Sequence, residues 1–307
     1  MYPLQSIEGL LLRIYLTRNN LSLLHRCIKM QQEDVTSPEF FKASMATGTS
    51  DFQQKLSVAK RHTEKALALF QDQGIICIPY FHKTYPTCLL STKYFPPLLF
   101  VKGQLPKGQN MAIVGSRHCS PLADEKTAAV ARQCAEKNLG IISGLALGID
   151  TMAHKAAISH DLYTAAILPT SLVDIYPPQN IQLSKKILER GGALISEQTP
   201  FMDPVANPFV LRNRIIAAFS EFVFPVEMKK NSGTRHALQY AVRYKKTIIL
   251  CLPGATEIGK HLLYYEGIFT AIAHYKKHKY PQLKIIKSIP DISGHLLKKT
   301  IDQTSLF

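Results

Sequence analysis

From Met111 to Cys251 the chain repeats one unit: a short apolar, β-branched run, a turn bearing small residues, and a segment with helical spacing. MAIVG leads to a helix over Ala123–Lys137, and GIISG to a helix from about Asp150. TAAIL leads through a loop to a helix over Gln182–Arg190, which returns as ALIS. A helix over Arg212–Phe219 precedes FVFPVE, and one over Thr234–Tyr244 precedes TIILCLPG. Continuous apolar strands alternating with helices predict a mostly parallel sheet with helices on both faces. Right-handed crossovers then gather every strand-to-helix turn at the carboxyl edge of the sheet, where such folds hold ligands.

Around this core the reading predicts three zones. Residues 1–71 form a small helical domain, with Leu10, Leu11, Ile14, Ala66, Leu67 and Phe70 at helical spacing and a polar break near Thr36–Ser50. Residues 72–272 form an extended Rossmann-like domain that opens with two apolar runs, Ile75–Ile78 and Leu98–Val101. Residues 273–307 are expected to be a solvated basic tail, with no room for a further winged-helix domain. The helical spacing of His274 and His278 is not taken as a metal site, because flanking lysines repel a cation.

Lys and Arg number 37 against 22 Asp and Glu, a net +15, which favours a polyanionic partner. The six cysteines form no CxxC pair, and no apolar run reaches membrane-spanning length, so a cytoplasmic protein with free thiols is expected.

The residues that carry chemistry sit where loops leave the sheet. Gly115-Ser116-Arg117 follows MAIVG; glycine permits close backbone approach, a helix start offers N–H groups, and Arg117 supplies a planar fork for phosphate. Ser143-Gly144 opens a loop closed by Gly148, which is suited to a backbone nest for an anion. Asp150 is placed as the N-cap of the next helix, and His154 either bonds structurally or meets ligand. Arg212-Asn213-Arg214 opens another helix, where two cations oppose the macrodipole unless an anion compensates. Residues two apart diverge on a helix, so one arginine is expected in the site and the other in a salt bridge to Glu197 or Glu227. Ser232-Gly233 precedes a further helix. Tyr176 and Phe209 are aromatics near the same edge, available for stacking on bases or for packing. Neither a nucleophile elbow, nor a Walker A lysine, nor a carboxylate pair appears in these loops. The inventory suits holding phosphates better than moving protons, and no cofactor, metal or catalytic residue is expected.

The ordered series GSR, SGLALGID with His154, YP with Asn180, ISE, RNRIIA, SGT and LPG resembles the DNA-processing protein A (DprA, also called Smf) family over roughly Gly74–Gly254. The chain departs from the family's usual pattern at Pro169-Thr170-Ser171, Pro178, Arg235-His236 and Tyr264–Gly267. The resemblance implies a dimeric single-stranded DNA-binding protein that protects incoming DNA and helps load RecA recombinase during natural transformation. It also implies that Gly115, Ser116, Arg117, Ser143, Gly144 and Arg212 sit in or near the DNA pocket. The competing reading is an enzyme similar to the LOG phosphoribohydrolases. Their glycine-rich loop carries a catalytic glutamate nearby, and Lys229–Thr234 lacks that pattern.

Overall fold

The structure, a computed structural model, describes residues 3–29, 52–202 and 206–296; the polar break near Thr36–Ser50 and the last eleven positions lie outside them. A nine-stranded sheet runs in the order β1-β2-β6-β5-β4-β3-β7-β8-β9. Its strands are β1 (Ile76–Pro79), β2 (Leu98–Gly103), β3 (Asn110–Val114), β4 (Gly140–Ser143), β5 (Thr164–Ile167), β6 (Ala193–Ser196), β7 (Phe222–Pro225), β8 (Thr247–Cys251) and β9 (Leu283–Ile286). From β6 across to β9 all pairings are parallel; β1 and β2 add an antiparallel edge. The fold is therefore the expected mostly parallel α/β sheet.

Alternation within the strands divides the core. Met111, Ile113 and Ile141 face one helical layer, and Ala112, Val114 and Ile142 face the other. The first layer holds α5 (Ala123–Glu136) and α6 (Ile149–Ser159), with α7 (Ile181–Glu189) further along the sheet. The second holds α8 (Pro208–Ala218), α9 (Thr234–Arg243) and α11 (Glu266–Lys277), which follows the short α10 (Ala255–His261). Each Leu or Ile fully withdrawn from water here contributes about 1.5–3 kcal/mol before conformational entropy is subtracted.

Among the described residues, the helices up to residue 72 are α1 (Ile7–Leu16), α2 (Leu21–Lys29) and α3 (Phe52–Asp72); α4 (Thr87–Leu90) lies between β1 and β2. Ser6 caps α1 by accepting from the Gly9 N–H at 2.9 Å. Leu10, Leu11 and Phe70 share a core with Phe100 of β2 and Ala166 of β5, so this zone completes the first layer over the antiparallel edge. The Tyr15 hydroxyl ties it further to the Pro200 carbonyl at 2.9 Å.

The basic tail expected from residue 273 is corrected. Residues 273–277 continue α11, and β9 pairs with β8. Ile286 and Ile292 are buried in the first layer. The lysines around β9 masked its apolar Leu283, Ile285 and Ile286 in a sequence reading dominated by charge.

Candidate nucleic-acid interface

The chain runs outward from β3 through β4, β5 and β6, then crosses back to β7 on the other side of β3. The turns after β3 and β7 therefore diverge and leave a crevice at the switch point. A cleft of about 450 Å³ occupies it, floored by Val114, Gly115 and Ser116 and walled by α8 and the Lys229–Thr234 loop.

Gly115 is required by packing: a Cβ there would collide with Ile149. The Ser116 N–H donates to the Glu227 carbonyl at 3.1 Å, and the Ser116 carbonyl accepts from Ile149 N–H at 3.2 Å. These bonds stitch β3 to β7 and α6. Arg117 is exposed at the cleft wall, with its guanidinium over the Phe209 ring at 4.6 Å. Tyr176 packs edge-on against Phe209, with ring centroids 5.7 Å apart, and stays 44% exposed.

Arg212 also lines the cleft, but from within the protein. Its Nη1 donates to the Gly144 and Ile167 carbonyls, each at 2.5 Å, and Nη2 lies 3.9 Å from Asp150 Oδ2. Burial pulls the Arg212 pKa down and raises that of Asp150, whose charge opposes the shift in Arg212. The nearby Arg117 cation pushes Arg212 down further, so an anion between the two would relieve repulsion.

Several expectations are corrected. The helix containing Arg212-Asn213-Arg214 starts at Pro208, so the arginines lie in its second turn rather than at its start. Proline at the first position presets the helical φ, and left-handed Asn207 turns the chain into it. Arg214, a candidate DNA-binding residue beside Arg212 and Asn213, does not line the cleft; it is buried and pairs with Glu197, also buried, at 2.5 Å. Asp150 is not the N-cap of α6. Gly148, at φ 78°, takes that position, because a Cβ there would meet the Ser116 and Arg117 carbonyls. Asp150 instead accepts from the Ala146 N–H at 3.4 Å and faces Arg212.

Ser143 is fully buried, and its hydroxyl donates to the Ile113 carbonyl at 2.7 Å, outside the cleft wall. Gly144 backs the site indirectly, as the seat of Arg212. His154 makes the structural bond, Nδ1 to Thr164 Oγ1 at 2.8 Å, and burial lowers its pKa to about 3. The expected backbone nests are largely satisfied internally. Thr234 N–H donates to Ser232 Oγ at 3.2 Å, and Ser232 N–H to the Lys229 carbonyl at 3.0 Å. Ser232, Gly233 and Asn213 do line the cleft, but its positive character comes mainly from side chains.

Lys229 and His118, absent from the sequence-derived set, also line it. Lys229 follows β7 at the switch point, and only the strand order could single it out. Asn180 donates to the Leu145 carbonyl at 2.7 Å and to Thr151 Oγ1 at 2.8 Å, fixing the loop between β4 and α6. Glu227 is wholly buried, and its carboxylate is bonded by Ser120 and by the Tyr265 hydroxyl at 3.2 Å. That leaves it as internal structure. Among the described residues no group of three or more His, Cys, Asp or Glu could hold a metal, and no helix is long and apolar enough to cross a membrane.

Fold and site together define a Rossmann-like protein with a cation-lined cleft at the switch point of its sheet. Residues 76–274 match the family model for DNA recombination-mediator protein A, and the chain belongs to that family. It is 34% identical to Protein Smf of Escherichia coli over 70% of this chain and 59% of that protein. It is 31% identical to DNA processing protein DprA of Bacillus subtilis over 73% of each. The match thus spans less than two thirds of the E. coli relative's length. The solved structure of DprA from Streptococcus pneumoniae superposes with a TM-score of 0.76 at 25% identity, covering 95% of this chain and 99% of that one. DNA processing protein A of Helicobacter pylori, whose structure was described for its single-stranded DNA binding mode, superposes with a TM-score of 0.60 at 24% identity, covering 72% and 95%.

Proposed function

We propose that this protein binds single-stranded DNA in the switch-point cleft, in the cytoplasm, as a homodimer. In this reading it protects incoming strands and helps load RecA recombinase during natural transformation. The observation that carries the reading is Arg117. It is an exposed arginine beside the buried Arg212 cation, stacked on Phe209, and no carboxylate among the described residues pairs with it. Phosphate would meet the Arg117 guanidinium with the Arg212 cation behind it, while a neighbouring base finds the exposed ring of Tyr176. Among the described residues no recognition helix is presented to a major groove, which favours single strands over duplex.

Three neighbouring apolar side chains, Ile258, Leu262 and Leu263, are 37%, 46% and 57% exposed and supply a face for the second copy. The strand is held without chemical change, since Glu227 is spent on Ser120 and Tyr265 and Asp150 on Arg212 and Ala146.

Titration of labelled single-stranded and duplex DNA at several salt concentrations, with nucleotide hydrolysis followed in parallel, tests the proposal. Tighter binding of single strands and unchanged nucleotides are expected. Equal or tighter duplex binding, or turnover that survives repurification and vanishes in Glu227→Gln, would overturn it.

A further inference from the structure

Five helices run back from the cleft edge to the amino edge of the sheet and end in a left-handed residue. After α5, α6 and α7 these residues are Asn138 (φ 51°), Asp161 (φ 52°) and Gly191 (φ 75°), types that tolerate the conformation. After α9 and α11 they are Lys245 (φ 55°) and Lys279 (φ 50°). A lysine Cβ is disfavoured there, so the turns leading into β8 and β9 carry lysine against backbone preference.

Both lysines are exposed, and β8 and β9 are parallel neighbours, so their turns adjoin. The Tyr280 hydroxyl locks them together by donating to the Lys246 carbonyl at 2.5 Å. Lys276 and Lys277 are exposed beside them, as is Arg243, which lies 5.5 Å over the Tyr240 ring. The carboxylate at the start of β7, Glu221, is turned to the Asn110 N–H at 2.7 Å. By contrast, Asp161 in its turn pairs with Arg190 at 3.2 Å. Cations in the last turns of α9 and α11 already answer the helix dipoles. A further lysine at each left-handed position adds like-charge repulsion, which an anion would relieve.

We infer that this amino-edge face is a second binding surface for the phosphodiester backbone of single-stranded DNA, distinct from the cleft. The inference rests on the single-strand reading of the cleft. Helix α9 joins the two sites, with Thr234 at the cleft and Arg243 at this face, about 14 Å apart along its axis. The face engages strands too long for the cleft alone.

The test titrates the full chain and a Lys245→Gly/Lys279→Gly variant with oligothymidylates of about six and about forty residues. Glycine suits both turns, so the variant should melt at or above the wild-type temperature and bind the short oligonucleotide equally well. Its affinity for the long one should fall about fivefold or more, and the log–log salt slope should flatten by about 1.4, the share of two single-strand phosphate contacts. Wild-type affinity and slope for the long strand in the variant would overturn the inference, leaving the lysines as turn residues. Equal loss for both lengths would also overturn it, since the face would not be separate. In a parallel sedimentation of both proteins with phosphatidylserine vesicles, loss confined to the vesicles would overturn the inference and reassign the face to a membrane surface. Failure of the wild type to bind either length would defeat the cleft reading and this inference with it.

Discussion

The guanidinium of Arg212 fills the space that a side chain at residue 144 would need, and its Nη1 donates to the Gly144 carbonyl at 2.5 Å. The glycine of the loop after β4 and the arginine of α8 are thus one device, brought together across the sheet edge. Gly144→Ala should displace Arg212 and cost about 1–3 kcal/mol, the usual penalty of overpacking. Thermal melting with DNA titration checks both parts, and binding at saturating folded protein should fall as well. A variant as stable as wild type would show that the arginine is not held there.

Arg214 and Glu197 form the structural counterpart, both buried at 2.5 Å. Glu197→Gln leaves a buried guanidinium without its counter-charge and should destabilise by about 3–5 kcal/mol. Denaturant melts measure the loss. The salt dependence of DNA binding by the folded fraction should stay unchanged, which separates this arginine from Arg212 and Arg117.

His154 sets a pH dependence. Burial holds its folded pKa at about 3 against the ordinary 6.5, so between these values the unfolded chain binds more protons. The stabilisation is complete above pH 6.5 and is lost as pH falls through that value towards 3. The slope of stability against pH between 7.5 and 5 should be steeper in wild type than in His154→Asn, by about 2 kcal/mol over the interval. Parallel slopes for the two proteins would contradict this.

The strands and helices from β3 to β8 were legible in the sequence because their apolar runs are bounded by glycine, proline and polar turns. The carboxyl-edge placement of Gly115, Arg117 and Arg212 followed from that alternation and from crossover handedness. Three things were not legible. The role of Asp150 depends on which residue tolerates φ 78° beside the Ser116 carbonyl, a tertiary contact with no local signal. Lys229 enters the site only through the neighbouring of β3 and β7, which are far apart in the chain. The satisfaction of the Ser116 and Thr234 amides by Glu227 and Ser232 likewise depends on the folded backbone, and it withdraws those main-chain donors from the cleft.

Arg117 is the most direct test of the whole account. Its side chain is exposed and stacked on Phe209, so Arg117→Ala should leave the melting temperature essentially unchanged. Single-strand affinity should fall for all sequences alike, and the log–log salt slope should flatten by about 0.7, the share of one phosphate contact. A folded Arg117→Ala protein with wild-type affinity and slope would contradict the central claim that this cleft holds the strand.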